Sequence, residues 1–294
     1  MLVVNYLASL AADPVMQSDE ILNWYQTFTP SQEQRKSWYG SVAQTYDRVR
    51  PKYPPEFLNR AIEVAKIPAT GKILEVGCGP GTATIGLAQM GLSIVALEPS
   101  LETYNVACQN LAAYPNVEII HTNFEEWESE YRIFDAIIAA TSWHWVAPEY
   151  KHIKAASLLK DSGSLILLWN TAMQPPLHIF EDLTEVFDRY IPALAKYKEP
   201  DTQLSEVRIF AKAAMGSGLF SELQEESRSN QINYSIDDYL QLLTTYSPCI
   251  ALSPANRAEL LAQLRAILAQ TCGEQVPLSY LSVFHIASKT ALYR

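Results

Sequence analysis

The sequence predicts a doubly wound α/β fold, in which helices cover both faces of a mostly parallel sheet. Two observations favour this fold. From residue 72 to residue 169, short apolar runs bounded by turn residues alternate with longer amphipathic stretches, as expected for parallel strands buried on both faces. A glycine-rich turn also follows the first apolar run, at the position where a first strand would pass into a helix.

The strands and helices of this region can be assigned in chain order. Five apolar runs read as strands, at 72–76, 92–97, 117–121, 134–140 and 164–169. The amphipathic stretches read as helices, at 82–90, 101–112 and 149–159. Because helices separate most of the successive strands, the connections are crossovers and the strands run parallel. The predicted architecture is therefore Rossmann-like.

The flanking regions are predicted to be mostly helical. Residues 1–30 read as an N-terminal helical extension, and residues 31–294 as the main domain. A helix over 31–50 ends at Pro51, since proline cannot continue it. Residues 173–270 are predicted to be a mostly helical cap inserted after the fifth strand.

Within this cap, four segments have helical apolar spacing, at 177–190, 205–216, 237–245 and 254–270. The segment 223–234 reads as an extended strand, and the alternating segment 278–288 as the final strand of the sheet. We expect the aromatic residues of the cap to serve mostly as core and in part as the lining of an apolar pocket. They include Phe180, Phe187, Tyr190, Tyr197, Tyr239 and Tyr246.

Composition and charge exclude several classes of protein. The chain is 48% hydrophobic and 18% charged, which is typical of a globular protein rather than a disordered one. A net charge of −10 argues against a protein held on nucleic acid phosphates. Four cysteines without a CxxC pair indicate neither a disulfide framework nor a metal site. Because the first basic residue is Arg35, we expect no signal peptide, no membrane insertion and a cytoplasmic location.

The glycine-rich turn, EVGCGPG at residues 75–81, is the most informative segment. Glycines permit a tight turn and a close approach of the backbone to a ligand, and ligands bind at the carboxyl ends of such strands. A Walker phosphate loop requires GxxxxGK followed by Ser or Thr, which the chain lacks. A dinucleotide fingerprint requires a third glycine or alanine, where this chain has Thr82.

The remaining pattern, E-x-G-x-G-x-G, resembles motif I of the class I S-adenosylmethionine-dependent methyltransferases. The resemblance covers about residues 40–172 and the final strand. It implies S-adenosylmethionine as the cofactor and a cofactor cradle in the motif itself. The residues implied are Glu75, Gly77, Cys78, Gly79 and Gly81.

Further positions match the family's cofactor site. Glu98 ends the second strand ahead of Pro99, and an acid there can accept hydrogen bonds from both ribose hydroxyls. Asn123 stands where the family often has an aspartate that binds the adenine amino group. The amide oxygen of Asn123 can accept the same bond, with Phe124 against the ring. Taken alone, Asn123 is equally well explained as a turn residue.

The segment YDRVRPKYP at residues 46–54 also resembles the N-terminal signature of small-molecule methyltransferases. The resemblance implies that Tyr46 faces the cofactor and that Arg50 steers the methionine carboxylate or an acidic substrate. The alternative is that Tyr46 packs on the face of its helix and that Arg50 is solvated. The sequence leaves the two interpretations about even.

The fourth strand ends in AATSWHWV, where the family resemblance places Ala140 and Thr141 beside the methionine part of the cofactor. No Asn-Pro-Pro-Tyr or Asp-Pro-Pro-Tyr string follows, so methylation of a base amino group is not indicated. The His-Trp pair resembles enzymes that methylate trans-aconitate, malonyl thioesters or juvenile hormone acid. It implies that Trp143, His144 and Trp145 contact a small-molecule acceptor.

The sequence leaves the chemistry of His144 open. A carboxylate acceptor is ionised at neutral pH, so that His144 would only orient it, whereas a hydroxyl acceptor would use His144 as a catalytic base. Our leading hypothesis is a methyltransferase acting on a small molecule such as a carboxylic acid. The alternatives are a regulatory protein that binds the cofactor without transfer, and a lipid-modifying relative of the cyclopropane synthases.

Overall fold

A seven-stranded sheet organises the computed structural model, which describes residues 39–129 and 133–291. The predicted extension at 1–30 lies outside these residues. The strands are β1 Lys72–Val76, β2 Ser93–Glu98, β3 Val117–His121, β4 Phe134–Ala140, β5 Leu159–Asn170, β6 Phe220–Ser235 and β7 Gln275–Lys289. Their spatial order is β3-β2-β1-β4-β5-β7-β6. Strands β1 to β5 pair in parallel, and β7 is antiparallel to both β5 and β6. The predicted doubly wound α/β fold is thus confirmed.

The central strands are buried on both faces, as their continuous apolar sequence requires. Ile73 and Leu74 of β1 have no exposed surface and belong to separate hydrophobic clusters on the two faces of the sheet. After β3 the chain crosses to the other side of β1 to form β4. This reversal creates a crevice at the carboxyl ends of β1 and β4, where ligands of such folds bind.

Ten helices are assigned among the described residues. They are α1 Ala43–Val49, α2 Pro55–Val64, α3 Thr84–Gln89, α4 Leu101–Leu111, α5 Pro148–Leu158, α6 Leu177–Tyr190, α7 Pro200–Gly216, α8 Ile236–Thr244, α9 Ser247–Ile250 and α10 Pro254–Thr271. Proline occupies the first position of α2, α5, α7 and α10, where its missing N–H costs nothing. None of the helices in this described part has the length and apolarity that a membrane span requires.

Region 173–270 contains the strand predicted at 223–234 among its helices. This strand is β6, which has 16 residues and pairs with β7 along most of its length. Its helices α6, α8 and α10 bury Phe180, Phe187 and Tyr239 in a third hydrophobic cluster of their own. The region therefore extends the sheet at one edge in addition to forming a helical layer.

Candidate active site

A cavity of about 210 Å³ occupies the crevice at the carboxyl ends of the parallel strands. Five segments of the sheet region line it, together with residues of α1 and the loop that follows. The sheet segments are the glycine loop at 76–80, the end of β2 at 97–100, the end of β3 at 122–125, the end of β4 at 140–142 with 144–146, and the end of β5 at 170–171. Of the predicted cap, Met173 lines the cavity among the described residues.

All three glycines of the loop have conformations that favour glycine. Gly77 has φ +69°, Gly79 has φ +59° and Gly81 has φ +93°, values that are costly for residues with a Cβ. A Cβ on Gly77 would lie 2.8 Å from the Cβ of Ser142, whereas a Cβ on Gly79 would meet no atom within 4 Å. Gly77 therefore lets the loop approach the end of β4, and Gly79 leaves the crevice open to a ligand.

Glu98 presents a preorganised carboxylate to the crevice. Its side chain is buried, Oε2 accepts a hydrogen bond from the Gly79 N–H at 2.9 Å, and Oε1 accepts one from the Ser100 N–H at 2.9 Å. Burial raises the pKa of Glu98 to about 7, although the two N–H donors act in the opposite direction. Each oxygen keeps a lone pair that can accept a further hydrogen bond from a ligand hydroxyl.

Glu75 and Gly81 do not reach the crevice surface, which corrects the expectation that they contact a cofactor directly. Glu75 is completely buried behind the loop, and this burial raises its pKa to about 8. A Cβ on Gly81 would lie 3.3 Å from the side chain of Leu111 in α4. Both residues shape the loop from behind, and Cys78 between them does line the crevice.

Asn123 and Phe124 line the crevice at the end of β3. Asn123 is buried, and its Oδ1 already accepts the backbone N–H of Glu126 at 2.7 Å. Its Nδ2 is buried and has no hydrogen-bond partner among the described residues, so the amide keeps a donor that a ligand could use. The sequence had favoured the oxygen as the group facing the ligand. Glu125, which the sequence analysis missed, also lines the crevice.

A single 3₁₀ turn, Trp143–Trp145, follows β4 and positions the predicted acceptor residues. His144 and Trp145 line the crevice, and the His144 ring centroid lies 4.3 Å from that of Trp145 and 5.8 Å from that of Trp169. Trp143 has no exposed surface and packs into the core beneath the turn. The prediction that Trp143 contacts the substrate is therefore wrong.

The wall opposite the sheet is formed by α1 and carries Tyr46 and Arg50. Arg50 donates from Nε to the Thr245 Oγ1 at 2.8 Å and from Nη2 to the Thr245 carbonyl at 3.0 Å. Its guanidinium also lies 4.1 Å from the ring centroid of Tyr246 and 5.0 Å from that of Tyr46. Arg50 is therefore not a solvated surface residue. Among the described residues of the wall, it is the one permanent cation.

Other wall residues carry no sequence signal strong enough to predict their position. Tyr53 follows α1 in a proline-rich loop, where no periodicity indicates the direction of a side chain. Its hydroxyl lies 3.0 Å from the Thr141 Oγ1. Asn170 ends β5 and donates from Nδ2 to the Pro51 carbonyl at 3.0 Å. Both residues line the crevice.

Part of the sheet region is similar to a known kind of domain. Residues 73–163 match the sequence profile of a methyltransferase domain. The matched residues include the glycine loop, Glu98, Asn123 and His144, so most of the residues that line the crevice lie within the matched segment.

The similarity to methyltransferases extends beyond the matched segment. A methyltransferase of Mycobacterium tuberculosis, named as uncharacterized, is 35% identical over 133 residues, which are 45% of this chain and 52% of that protein. The chain thus covers about half the length of this relative. A methyltransferase of Schizosaccharomyces pombe, also named as uncharacterized, is 26% identical over 262 residues, which are 84% of this chain and 95% of that protein.

A solved structure from Anaeromyxobacter dehalogenans, that of a proposed type II methyltransferase, has a similar fold. Its TM-score is 0.59 at 21% identity, covering 83% of this chain and 99% of that one. At this identity the likeness concerns the fold alone.

The crevice fits S-adenosylmethionine, the cofactor that the sequence resemblance implies. The buried carboxylate of Glu98 suits a pair of vicinal hydroxyls, as on a ribose. The unpartnered Nδ2 of Asn123 suits a ring nitrogen of a purine. Open space beside Gly79 lets the ligand lie against the loop backbone.

Proposed function

We propose that this protein transfers the methyl group of S-adenosylmethionine to a small molecule that carries a carboxylate. The observation that carries this proposal is the position of Arg50, a permanent cation on a crevice wall otherwise rich in aromatic residues. A carboxylate can pair with Arg50 while the rest of the acceptor packs against Tyr39, Tyr46 and Trp145.

The cofactor would be held by the glycine loop and the ends of β2, β3 and β4. Glu98, followed by Pro99, would accept the ribose hydroxyls, and Asn123 with Phe124 would hold the adenine. The methionine part would lie beside Ala140 and Thr141. When bound, S-adenosylmethionine supplies a methyl group already activated by its attachment to a sulfonium.

The protein's own contribution is therefore alignment in a site with little water. Holding two reactants in line is worth about 7–11 kcal/mol. A carboxylate is ionised at neutral pH and needs no base, so His144 would orient the acceptor. The contacts of His144 with Trp145 and Trp169 restrict its ring, which suits this orienting role.

We further propose that residues 31–294 act as one catalytic unit and that region 173–270 supports the acceptor wall from behind. The Arg50 guanidinium bonds to Thr245, and the Tyr39 hydroxyl lies 3.0 Å from the Ser247 Oγ. Both partners belong to the segment around the start of α9. Region 173–270 would thus hold α1 over the crevice in addition to excluding water.

Incubation with methyl-labelled cofactor and a panel of carboxylic acids, phenols and lipids tests this function. We expect labelled methyl esters from at least one carboxylic acid, recognisable by their release in mild alkali. Cofactor binding without transfer to any acceptor would favour the regulatory alternative, and labelled lipid would favour the lipid-modifying one.

His144→Ala tests the assignment of the acceptor side. We expect transfer to a verified acceptor to fall about tenfold to a hundredfold, because alignment is lost. The affinity for S-adenosylhomocysteine, measured by calorimetry, should change less than twofold. Unchanged turnover in this variant would remove His144 from the proposed site.

A further inference from the structure

Three polar residues meet on the crevice wall at the ends of β4 and β5. The Tyr53 hydroxyl lies 3.0 Å from the Thr141 Oγ1, and the Asn170 backbone N–H donates to the same oxygen at 3.4 Å. All three residues line the crevice, and Tyr53 is only 5% exposed. The proposed cofactor contacts place Thr141 near the methionine part. They give no role to its hydroxyl or to Tyr53.

The backbone of Thr141 is held in an unfavourable conformation. Its φ is +55°, in the left-handed region that β-branched residues rarely adopt. The Thr141 N–H donates to the Leu168 carbonyl at 2.7 Å, which fixes the residue against β5. Strain of this kind persists where the surroundings impose it, often at ligand sites. The fixed backbone limits the positions that the Thr141 side chain can take.

The hydrogen-bonding capacity of Thr141 determines what it can offer a ligand. A threonine hydroxyl has one proton and two acceptor positions. The Asn170 N–H occupies one position. A phenol is more acidic than an alcohol and is the better donor of the pair, and burial raises the pKa of Tyr53 so that it keeps its proton. With Tyr53 donating to the second position, the Thr141 proton is left for a third partner, and Thr141 lines the crevice.

We propose that Tyr53 orients the Thr141 hydroxyl as a hydrogen-bond donor into the crevice, where it binds a carboxylate. This inference rests on the proposed function and deepens it. Arg50 lies three residues before Tyr53 and lines the same crevice, so one loop supplies both a cation and the phenol that orients Thr141. The carboxylate can be that of the methionyl group of the cofactor or that of the acceptor.

A row of side chains across three strands holds this loop in place. Asn170 Nδ2 donates to the Pro51 carbonyl at 3.0 Å, and Asn170 Oδ1 accepts from the Ser282 hydroxyl at 2.7 Å. Asn230 Nδ2 in turn donates to the Ser282 Oγ at 2.9 Å. The row runs from β5 through β7 to β6, so the distance between Tyr53 and Thr141 is fixed by the sheet.

Calorimetric titration of the full chain with S-adenosylhomocysteine and with 5′-methylthioadenosine tests the proposal. The second probe lacks the amino acid part and therefore the carboxylate. The variants are Thr141→Val, which keeps the shape and removes the hydroxyl, Tyr53→Phe, and the double variant. Tyr234→Phe is the matched control, because its phenol donates to the Val49 carbonyl near the same loop but does not line the crevice.

If the carboxylate belongs to the cofactor, Thr141→Val should bind S-adenosylhomocysteine about tenfold more weakly and 5′-methylthioadenosine as before. Tyr53→Phe should bind S-adenosylhomocysteine at least threefold more weakly than the wild type. The double variant should lose no more affinity than Thr141→Val, since Tyr53 acts through Thr141. Tyr234→Phe should change neither affinity.

If the carboxylate belongs to the acceptor, both adenosine probes should bind the variants as they bind the wild type. Benzoate should then bind the S-adenosylhomocysteine-loaded wild type at least threefold more tightly than the loaded variants, and benzamide should not distinguish them. Wild-type behaviour of Thr141→Val in every titration, or equal losses for all probes, would overturn the proposal. Failure of the wild type to bind S-adenosylhomocysteine at all would instead refute the proposed function.

Discussion

Gly79 is the position at which a single added side chain most directly tests the cofactor crevice. Gly79→Val should lower the affinity for S-adenosylhomocysteine at least tenfold, because the new side chain would project into open space on the crevice wall. Gly218→Val provides the matched control, since Gly218 also has a positive φ and an open Cβ direction but does not line the crevice.

Both variants carry the same kind of backbone strain, about 1–2 kcal/mol. Their melting temperatures should therefore fall by similar amounts, and calorimetry should separate them by binding alone. Equal affinities in the two variants would mean that the ligand does not approach the loop at Gly79.

Glu98 gives the cofactor site a predictable pH dependence. Burial raises the pKa of its carboxyl to about 7, so the acid is mostly ionised at pH 8 and mostly protonated at pH 6. Only the carboxylate can accept two ribose hydroxyls while retaining the Gly79 and Ser100 N–H bonds. The affinity for S-adenosylhomocysteine should therefore rise from pH 6 to pH 8.

Calorimetry of Glu98→Gln at the same two pH values is the comparison that isolates this group. The variant should bind at least tenfold more weakly at pH 8 and should lose the rise with pH. A rise that persists unchanged in Glu98→Gln would assign the titration to another residue.

The limits of prediction from sequence are clearest at Asn123 and Trp143. The sequence places Asn123 at the end of β3, but the choice between its oxygen and its nitrogen depends on the Glu126 N–H, a local turn contact with no sequence signal. Trp143 and His144 are neighbours with opposite environments, because a 3₁₀ turn directs one into the core and the other to the crevice. Residue type alone does not distinguish them.

Among the secondary-structure elements, α1 depends on distant partners for its position over the crevice. Its C-terminal residue is followed by Arg50, whose bonds to Thr245 join α1 to the end of α8. Arg50→Met should release this end, so that amide exchange in 43–49 becomes faster and acceptor KM rises. We expect exchange to increase at least tenfold, since two partly buried hydrogen bonds from a charged group are lost.

Arg60→Met is the control for Arg50→Met. Arg60 forms ion pairs with Glu226 and Glu63 at the surface, and its side chain is 48% exposed, so its contribution to stability is small. Amide exchange measured by mass spectrometry should distinguish the two variants. Equal exchange in 43–49 for both would show that Arg50 does not anchor α1.

The elements themselves were largely predictable because periodicity is a local signal. Strands β1, β3 and β4 have the predicted bounds, and β1 and β4 are apolar almost throughout. Strand β5 begins at Leu159, five residues before the predicted start, because its first part is the polar stretch KDSG. There its pairing with β4 is irregular, between Phe134 and Ala136. A polar, irregular strand end carries no apolar pattern and could not be predicted.

Across the whole molecule, the features that suit the crevice to its cofactor should reduce the stability of the ligand-free fold. Glu75 and Glu98 lie close together behind and beside the glycine loop, and the charge of Glu98 contributes to the raised pKa of Glu75. Ionising either carboxyl in the folded protein is unfavourable compared with ionising it in the unfolded chain. A ligand that binds only the folded state compensates this cost.

Glu75→Gln tests this cost through its dependence on pH. Because the pKa of Glu75 is about 8 in the folded protein and 4.5 in its ordinary state, the folded protein binds more protons between these values, and its stability falls as pH rises. The free energy of unfolding of the wild type, relative to Glu75→Gln, should decline from pH 5 to pH 8 by at most about 1.4 kcal/mol per pH unit. The comparison cancels the contributions of Lys151 and His152, which are the same in both proteins. Burial lowers the pKa values of these two residues, so their contributions to stability rise with pH. Urea unfolding at four pH values measures this difference in the free energy of unfolding. A difference that does not change with pH would mean that Glu75 ionises as readily in the folded protein as in water.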